Sequence, residues 1–121
     1  MKNIVENNKL IAEFMGLSYC KKHLYEGWYK NHEHNHRLCD FNGLKYHSDW
    51  NWLMGVIEKI ESLPAMKDNG NFFFEIHQDS VTVFNSTRMD IVIEVIGQGS
   101  RINNTYQAVI EFIQWYNQQN K

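Results

Sequence analysis

The sequence has few of the residues that cross-link a chain or interrupt its secondary structure. It contains two cysteines, Cys20 and Cys39, and one proline, Pro64, among 121 residues. Two cysteines are too few for the disulfide framework of a small secreted domain, so we expect free or metal-bound thiols in a reducing compartment. Neither an internal repeat nor a proline- or glycine-rich linker interrupts the chain. We therefore predict a single domain over residues 1–121.

Long hydrophobic runs and a charge excess are also missing. No segment approaches the apolar length needed to span a bilayer, and the N-terminus lacks the apolar core of a signal peptide. The sequence therefore predicts a cytoplasmic protein without a membrane partner. A formal net charge of -2 gives no long-range attraction for nucleic acid. Glu26, Glu33 and Asp40 further dilute the basic residues near them.

Apolar and aromatic residues, by contrast, are plentiful. The chain is 43% hydrophobic and 14% aromatic, which is enough for a packed core and argues against a disordered protein. The sequence pattern divides the chain into a helix, a long irregular segment, a second helix, three strands and a final helix.

Two segments in the first half of the chain show apolar residues at helical spacing. The first runs from about Asn3, a candidate N-cap, to Met15, and Gly16 would end it. The second begins at Ser48 as N-cap and stops before Pro64, which cannot continue a helix. We expect the apolar stripe of the second helix to be buried, and it consists of Trp50, Leu53, Met54, Ile57, Ile60 and Leu63. The opposite, outer side of this helix carries Glu58, Lys59 and Glu61.

The second half of the chain predicts three strands. Apolar residues alternate with period two over residues 72–84, around a short polar turn. Residues 89–96 supply a third strand, with Ile91 and Ile93 on the same face. Successive strands with short turns form an antiparallel meander.

A last helix follows Ser100, which can cap it, and Tyr106 belongs to its apolar stripe. Helices separated from an antiparallel sheet give an α+β fold, in which the three-stranded meander packs against the helices. We predict that the second and third helices share one face of the sheet. Residues 17–46, between the first and second helices, are predicted to be a long irregular loop.

Three segments resemble small uncharacterised proteins encoded by phages and prophage-like elements. They are Asn8 to Gly16 (NKLIAEFMG), Tyr46 to Glu61 (YHSDWNWLMGVIEKIE) and Tyr106 to Gln118 (YQAVIEFIQWYNQ). The likeness runs over most of the chain and is weakest from Leu17 to Lys45. Its most specific part is the Ser-Asp-Trp-x-Trp-Leu-Met run. The resemblance implies an accessory phage protein, and it carries over no catalytic or binding residue.

The long loop contains candidate zinc ligands. Cys20, His23, His36 and Cys39 form a Cys-x2-His pair and a His-x2-Cys pair, separated by twelve residues. Two such pairs can offer two thiolates and two imidazoles to one zinc ion. Zinc would then supply folding energy to a segment with few aliphatic residues.

Other interpretations of the loop remain open. The order of the ligands is not that of a common zinc finger, and the loop could fold onto the domain without metal, which the sequence favours. An enzyme would use Cys39 as nucleophile with a histidine and Asp40, but no nucleophile elbow accompanies them. His47, outside the cluster, is isolated and is expected to be structural or exposed.

Three aromatic residues are candidates for a partner surface, namely Trp28, Tyr29 and Trp52. Trp52 lies outside the centre of the second helix's stripe. It either widens the buried face or belongs to an exposed aromatic patch, and the sequence favours burial.

The sequence as a whole predicts a non-enzymatic binding protein. We expect a phage or mobile-element accessory protein that acts on a host protein or a small ligand, with a zinc-stabilised binding module as the alternative. A homo-oligomer is compatible with this prediction. Phe73, Val92 and Ile96 fall on the side of the sheet away from the helices, where a second subunit, the first helix or the loop could cover them.

Overall fold

A computed structural model of the chain describes residues 4–21, 27–30, 37–39, 43–64, 70–86, 90–97 and 99–119, with only the main chain at positions 30 and 37–39. The elements follow in the order α1 (Ile4–Phe14), β1 (Leu17–Cys20), β2 (Gly27–Lys30), β3 (Arg37–Cys39), α2 (Trp50–Ser62), β4 (Phe72–Ile76), β5 (Ser80–Asn85), β6 (Asp90–Ile96) and α3 (Arg101–Gln119). The predicted α+β fold is confirmed.

An antiparallel meander joins β4, β5 and β6 in sequence order, as predicted. Phe74 pairs with Val83, and Val83 pairs with Ile93 on the next strand. Alternation along the strands therefore turns Phe72, Val81 and Val83 to the same side of the sheet, where all three are buried. This side is called the inner face below.

A β-bulge interrupts the pairing of β5 with β6. Val83 pairs with Ile93, whereas the next residue, Phe84, pairs with Ile91, so that Val92 is the extra residue. The prediction that Ile91 shares a face with Ile93 is wrong, because the bulge turns Ile91 outward and leaves it 56% exposed.

Two helices cover the inner face. α3 lies against β5 and β6, while α2 lies beside β4 and also contacts α3. Their apolar side chains join those of the sheet in one buried cluster, to which α1 adds Ile11 and Ala12. This shared cluster confirms the predicted placement of the second and third helices. Full burial of one large apolar side chain contributes about 1.5–3 kcal/mol, so the cluster is the main source of stability.

Three short strands occupy much of the segment predicted to be irregular. β1, β2 and β3 form a second antiparallel sheet with β2 in the middle. Cys20 pairs with Gly27, and Trp28 pairs with Cys39. The prediction of a structureless loop is therefore wrong for these residues. The strands have only three or four residues each, too few for an alternating pattern to stand out in the sequence.

Helix α2 begins one residue later than predicted. Asp49, not Ser48, is its N-cap, with an extended main chain (φ -131, ψ 116). Its Oδ1 accepts hydrogen bonds from the N–H groups of Asn51 (2.8 Å) and Trp52 (3.4 Å). Ser48 belongs to the preceding turn, where its N–H donates to the carbonyl of Lys45. The Asp49 carboxylate also lies at the positive end of the helix dipole.

The buried side of α2 is rotated from the predicted stripe. Trp50 and Met54 belong to that stripe but are 38% and 39% exposed. Val56 is fully buried instead, and Trp52 is half-buried. The buried ring of Tyr46 stands edge-on to Trp52, with 5.1 Å between ring centroids. This ring gives the Trp52 side of the helix an apolar surface on which to pack.

The sequence pattern predicts that Glu61 lies on the solvent side of α2, and this prediction is wrong. Its Oε2 accepts a hydrogen bond from the N–H of Phe74 at 3.0 Å. β4 is an outer strand of the meander, so the N–H groups that point away from β5 need other acceptors. Glu61 therefore fastens α2 to the edge of the sheet.

The ends of the other helices agree with the predictions where they are described. Gly16 follows α1 with φ 85, a left-handed conformation that glycine adopts without steric cost. Ser100 caps α3, because its Oγ accepts from the N–H of Asn103 at 3.2 Å. Asn3, the predicted cap of α1, lies outside the described residues. Among the described helices, none has the length and apolar character needed to cross a membrane.

Candidate functional site

A buried asparagine links three parts of the fold. Asn8, on α1, accepts a hydrogen bond at Oδ1 from the Tyr106 hydroxyl of α3, at 2.8 Å. Its Nδ2 donates to the carbonyl of Leu44 at 3.2 Å and lies 3.0 Å from Nδ1 of His47. These four residues, named the Asn8 network below, connect α1 and α3 with the segment that leads into α2.

The direction of each bond in the Asn8 network follows from Leu44. A carbonyl oxygen only accepts, so the Asn8 atom beside it is the amide nitrogen, and Oδ1 is left to accept from Tyr106. The second proton of Nδ2 is donated to Nδ1 of His47, which must therefore be an acceptor. The ring of His47 consequently carries its proton on Nε2, and this N–H is a donor.

Burial also acts on the Tyr106 hydroxyl. The side chain is fully buried, and its removal from water raises the pKa of Tyr106 from 10.0 to about 12. The hydroxyl is therefore a neutral donor to Asn8 throughout the physiological range of pH. The ring of His47 stands edge-on to the Tyr106 ring, with 6.2 Å between centroids.

A cavity of about 220 Å³ lies beside the Asn8 network. One side of α1 supplies four of the described lining residues, Ile4, Val5, Asn8 and Lys9. Trp28 of β2 lines the cavity together with Leu44 and His47. Sites for drug-sized ligands are larger, at roughly 300–1,000 Å³, so this cavity suits a molecule of a few non-hydrogen atoms.

Trp28, whose ring lines the cavity, also carries an unsatisfied donor in the interior of the fold. The residue is 1% exposed, and its buried Nε1 has no acceptor within the described part of the chain. A buried donor without a partner costs about 1–3 kcal/mol, and folded proteins keep few of them. The ring of Tyr19 packs edge-on against the indole, with 5.2 Å between centroids, and holds it in place.

The predicted zinc ligands are described only in part. His23 and His36 lie outside the described residues, as does Asp40 of the proposed nucleophile group. Cys20 is a half-buried free thiol on β1, and the main chain of Cys39 lies on β3. β2 separates these strands, so at about 4.8 Å per strand their main chains are roughly 10 Å apart.

Among the residues that the structure describes, no three His, Cys, Asp or Glu side chains form a group that could hold a metal ion. The zinc site and the Cys39-based enzyme both stay predictions, because the side chains of His23, His36, Cys39 and Asp40 are not described.

Two of the three residues predicted for a partner surface are buried. Trp28 and Tyr29 are each 1% exposed, so this prediction is wrong for them. They lie on the middle strand of the β1–β3 sheet, which has a neighbouring strand on each side. Trp52 is half-buried and packs against the main apolar cluster, as the sequence pattern favours.

The sequence pattern missed the residues that form the cavity wall. His47 is predicted to be isolated, yet it is bonded to a residue 39 positions away. The position of Asn8 is the one feature of the sequence that could have indicated the network. Asn8 precedes the buried residues Ile11 and Ala12 by one helical turn, so it lies on the apolar side of its helix. A polar side chain at such a position requires hydrogen-bond partners from elsewhere in the fold.

Comparison with protein-family models, with curated proteins and with solved structures gave no match to this chain. The resemblance to phage-encoded proteins therefore stays a prediction. The cavity and the Asn8 network are the features from which a function can be inferred.

Proposed function

We propose that this protein is a non-enzymatic binding protein that holds a small ligand in the cavity beside the Asn8 network. The observation that carries this proposal is a cavity of about 220 Å³ whose described wall includes Asn8 and His47, which are hydrogen-bonded to each other. Ligand binding in this cavity would stabilise the folded state.

The Asn8 network supports a binding role because it makes the wall of the cavity rigid. Asn8, Leu44 and His47 all line the cavity, and Leu44 and His47 are each hydrogen-bonded to Asn8. Tyr106 holds Asn8 from the core side. Side chains that are already fixed lose little conformational freedom when a ligand arrives, which favours affinity.

The proposed biological role is that of a phage or mobile-element accessory protein in the host cytoplasm. Each of the three segments that resemble phage-encoded proteins contributes one side chain to the Asn8 network, namely Asn8, His47 and Tyr106. Asn8 and His47 line the cavity, and Tyr106 holds Asn8 from the core side.

Filling the cavity tests the proposal. Val5 lines the cavity and is 50% exposed, so Val5→Trp should occupy the space without disturbing the core. Glu13→Trp is the matched control, since Glu13 is exposed on the same helix and is not among the described lining residues. In a thermal-shift screen of small polar compounds, binders should raise the Tm of the wild type and of Glu13→Trp but not that of Val5→Trp.

The expected effect is large enough to detect. A ligand present at about one hundred times its Kd adds about 2.7 kcal/mol to the free energy of unfolding. The proposal is wrong if no compound raises the Tm of the wild type, and a host protein then becomes the leading partner. It is equally wrong if the active compounds also raise the Tm of Val5→Trp.

A further inference from the structure

The described lining of the cavity offers side-chain hydrogen-bond donors. His47 has the Nε2–H that remains once Nδ1 accepts from Asn8. Lys9 adds an exposed ammonium group with three further N–H donors. Trp28 lines the same cavity through its ring, while its Nε1 is buried out of reach of the cavity. A molecule that pairs with the donors of His47 and Lys9 must accept hydrogen bonds.

The charge of the wall is also one-sided. Lys9 is the charged residue among the described lining residues, which include no carboxylate. An anion gains both from the ammonium charge and from charge-assisted hydrogen bonds, which are about twice as strong as bonds between neutral groups. The remaining wall is apolar, with Ile4, Val5 and Leu44.

We propose that the ligand is a small carboxylate that carries a short apolar group; this inference rests on the proposed function. The two carboxylate oxygens accept from His47 and Lys9, since together they offer about four acceptor sites. The ring of Trp28 lines the same cavity, so its signals respond to the bound ligand. The short apolar group packs against Ile4 and Val5. Inorganic phosphate is the poorer candidate, because it would leave this apolar wall beside a wholly polar ion.

The indole N–H signals of the four tryptophans give a direct test. The full-length protein is labelled with 15N-tryptophan and titrated with propionate, with propionamide and with inorganic phosphate. Trp28→Phe assigns the Trp28 signal, and if that variant does not fold, Phe substitutions at the other three tryptophans assign it by elimination. We expect propionate to shift the Trp28 signal saturably and to leave the other three in place.

Two charge variants then test the role of the ammonium group. Lys9→Met should weaken propionate binding about fivefold, which corresponds to roughly 1 kcal/mol. Lys45→Met removes the same charge from an exposed residue that is not among the described lining residues, and it should leave the Kd within about twofold.

The outcomes separate this inference from the proposed function. If propionamide shifts the Trp28 signal as strongly as propionate does, the carboxylate is overturned while the binding site stands. Tighter binding of phosphate overturns the apolar part of the ligand and keeps the anion site. If no probe shifts the signal at up to about 50 mM, well above the millimolar Kd of weak ligands, the inference is overturned. The Val5→Trp screen then decides independently whether the proposed function stands.

Discussion

The two halves of α3 are buried against different kinds of surface. In the first half, Tyr106 donates its hydroxyl to Asn8, and the buried Thr105 hydroxyl donates to the carbonyl of Arg101 at 2.8 Å. In the second half, Phe112 packs edge-on against Phe72 of the meander, with 4.9 Å between ring centroids. Both halves belong to the same apolar cluster, to which the first half, called the polar half, adds buried hydrogen bonds; the second is called the apolar half.

The difference separates two tasks within the same helix. Apolar contacts are non-directional, so the Phe112 half supplies stability that depends mainly on buried area and close packing. A buried hydrogen bond needs a particular distance and angle, and a missing partner is costly. The Tyr106 half consequently fixes position, and the position that it fixes is that of Asn8, in the wall of the cavity.

The largest effect is expected in the apolar half of α3. Phe112→Ala removes a fully buried ring and should lower the free energy of unfolding by about 3–5 kcal/mol, measured by urea denaturation. The matched control is Phe73→Ala, which removes a half-buried ring that stacks on Phe84 at 5.0 Å between centroids. That loss should be less than half as large, and equal losses would contradict the assignment of the main core to the inner face.

An intermediate effect is expected in the polar half. Asn8→Ala leaves the buried hydroxyl of Tyr106 and the carbonyl of Leu44 without their partner, and it should lower the free energy of unfolding by about 2–3 kcal/mol. Tyr106→Phe leaves only Oδ1 of Asn8 unpaired, so a loss of about 1–2 kcal/mol is expected. Because the residues share one bond, the double variant should lose less than the sum. Additive losses would show that the bond contributes nothing.

The smallest effect concerns alkaline pH. The pKa of Tyr106 is raised from 10.0 to about 12, so its contribution to stability is fully present below pH 10 and is lost as the pH rises through 12. Between about pH 9 and about pH 11 the wild type should lose about 1 kcal/mol more than Tyr106→Phe. Phe112→Ala should keep the alkaline slope of the wild type, since phenylalanine does not ionise. A wild-type slope in Tyr106→Phe would contradict the burial of the hydroxyl.

The elements governed by local rules could be predicted from the sequence. The meander followed from alternation, and the ends at Gly16 and Ser100 followed from glycine conformation and hydroxyl capping. The deviations arose where a distant contact decides. The half-burial of Trp52 depends on the ring of Tyr46, and the outward turn of Ile91 depends on a bulge that only strand pairing creates.

The candidate site could not be predicted, because its members are far apart in the chain. Asn8, Trp28 and His47 come from a helix, a strand and a turn, and no spacing rule links them. The direction of the bond to His47 depends in turn on the main-chain carbonyl of Leu44, which is present at every position of every sequence. The histidine and cysteine pattern of the loop predicts a separate metal site, and His23 and His36 of that site lie outside the described residues.

The bond between Asn8 and Tyr106 joins residues 98 positions apart in the chain. During synthesis α1 leaves the ribosome long before α3, so Asn8 has no Tyr106 hydroxyl to bond until α3 has emerged. Closing a loop of this length has an entropic cost, and contacts between distant residues slow folding. A chain that stalls before α3 would therefore lack the hydroxyl that holds Asn8 in the cavity wall, and ligand binding would report whether synthesis has passed α3.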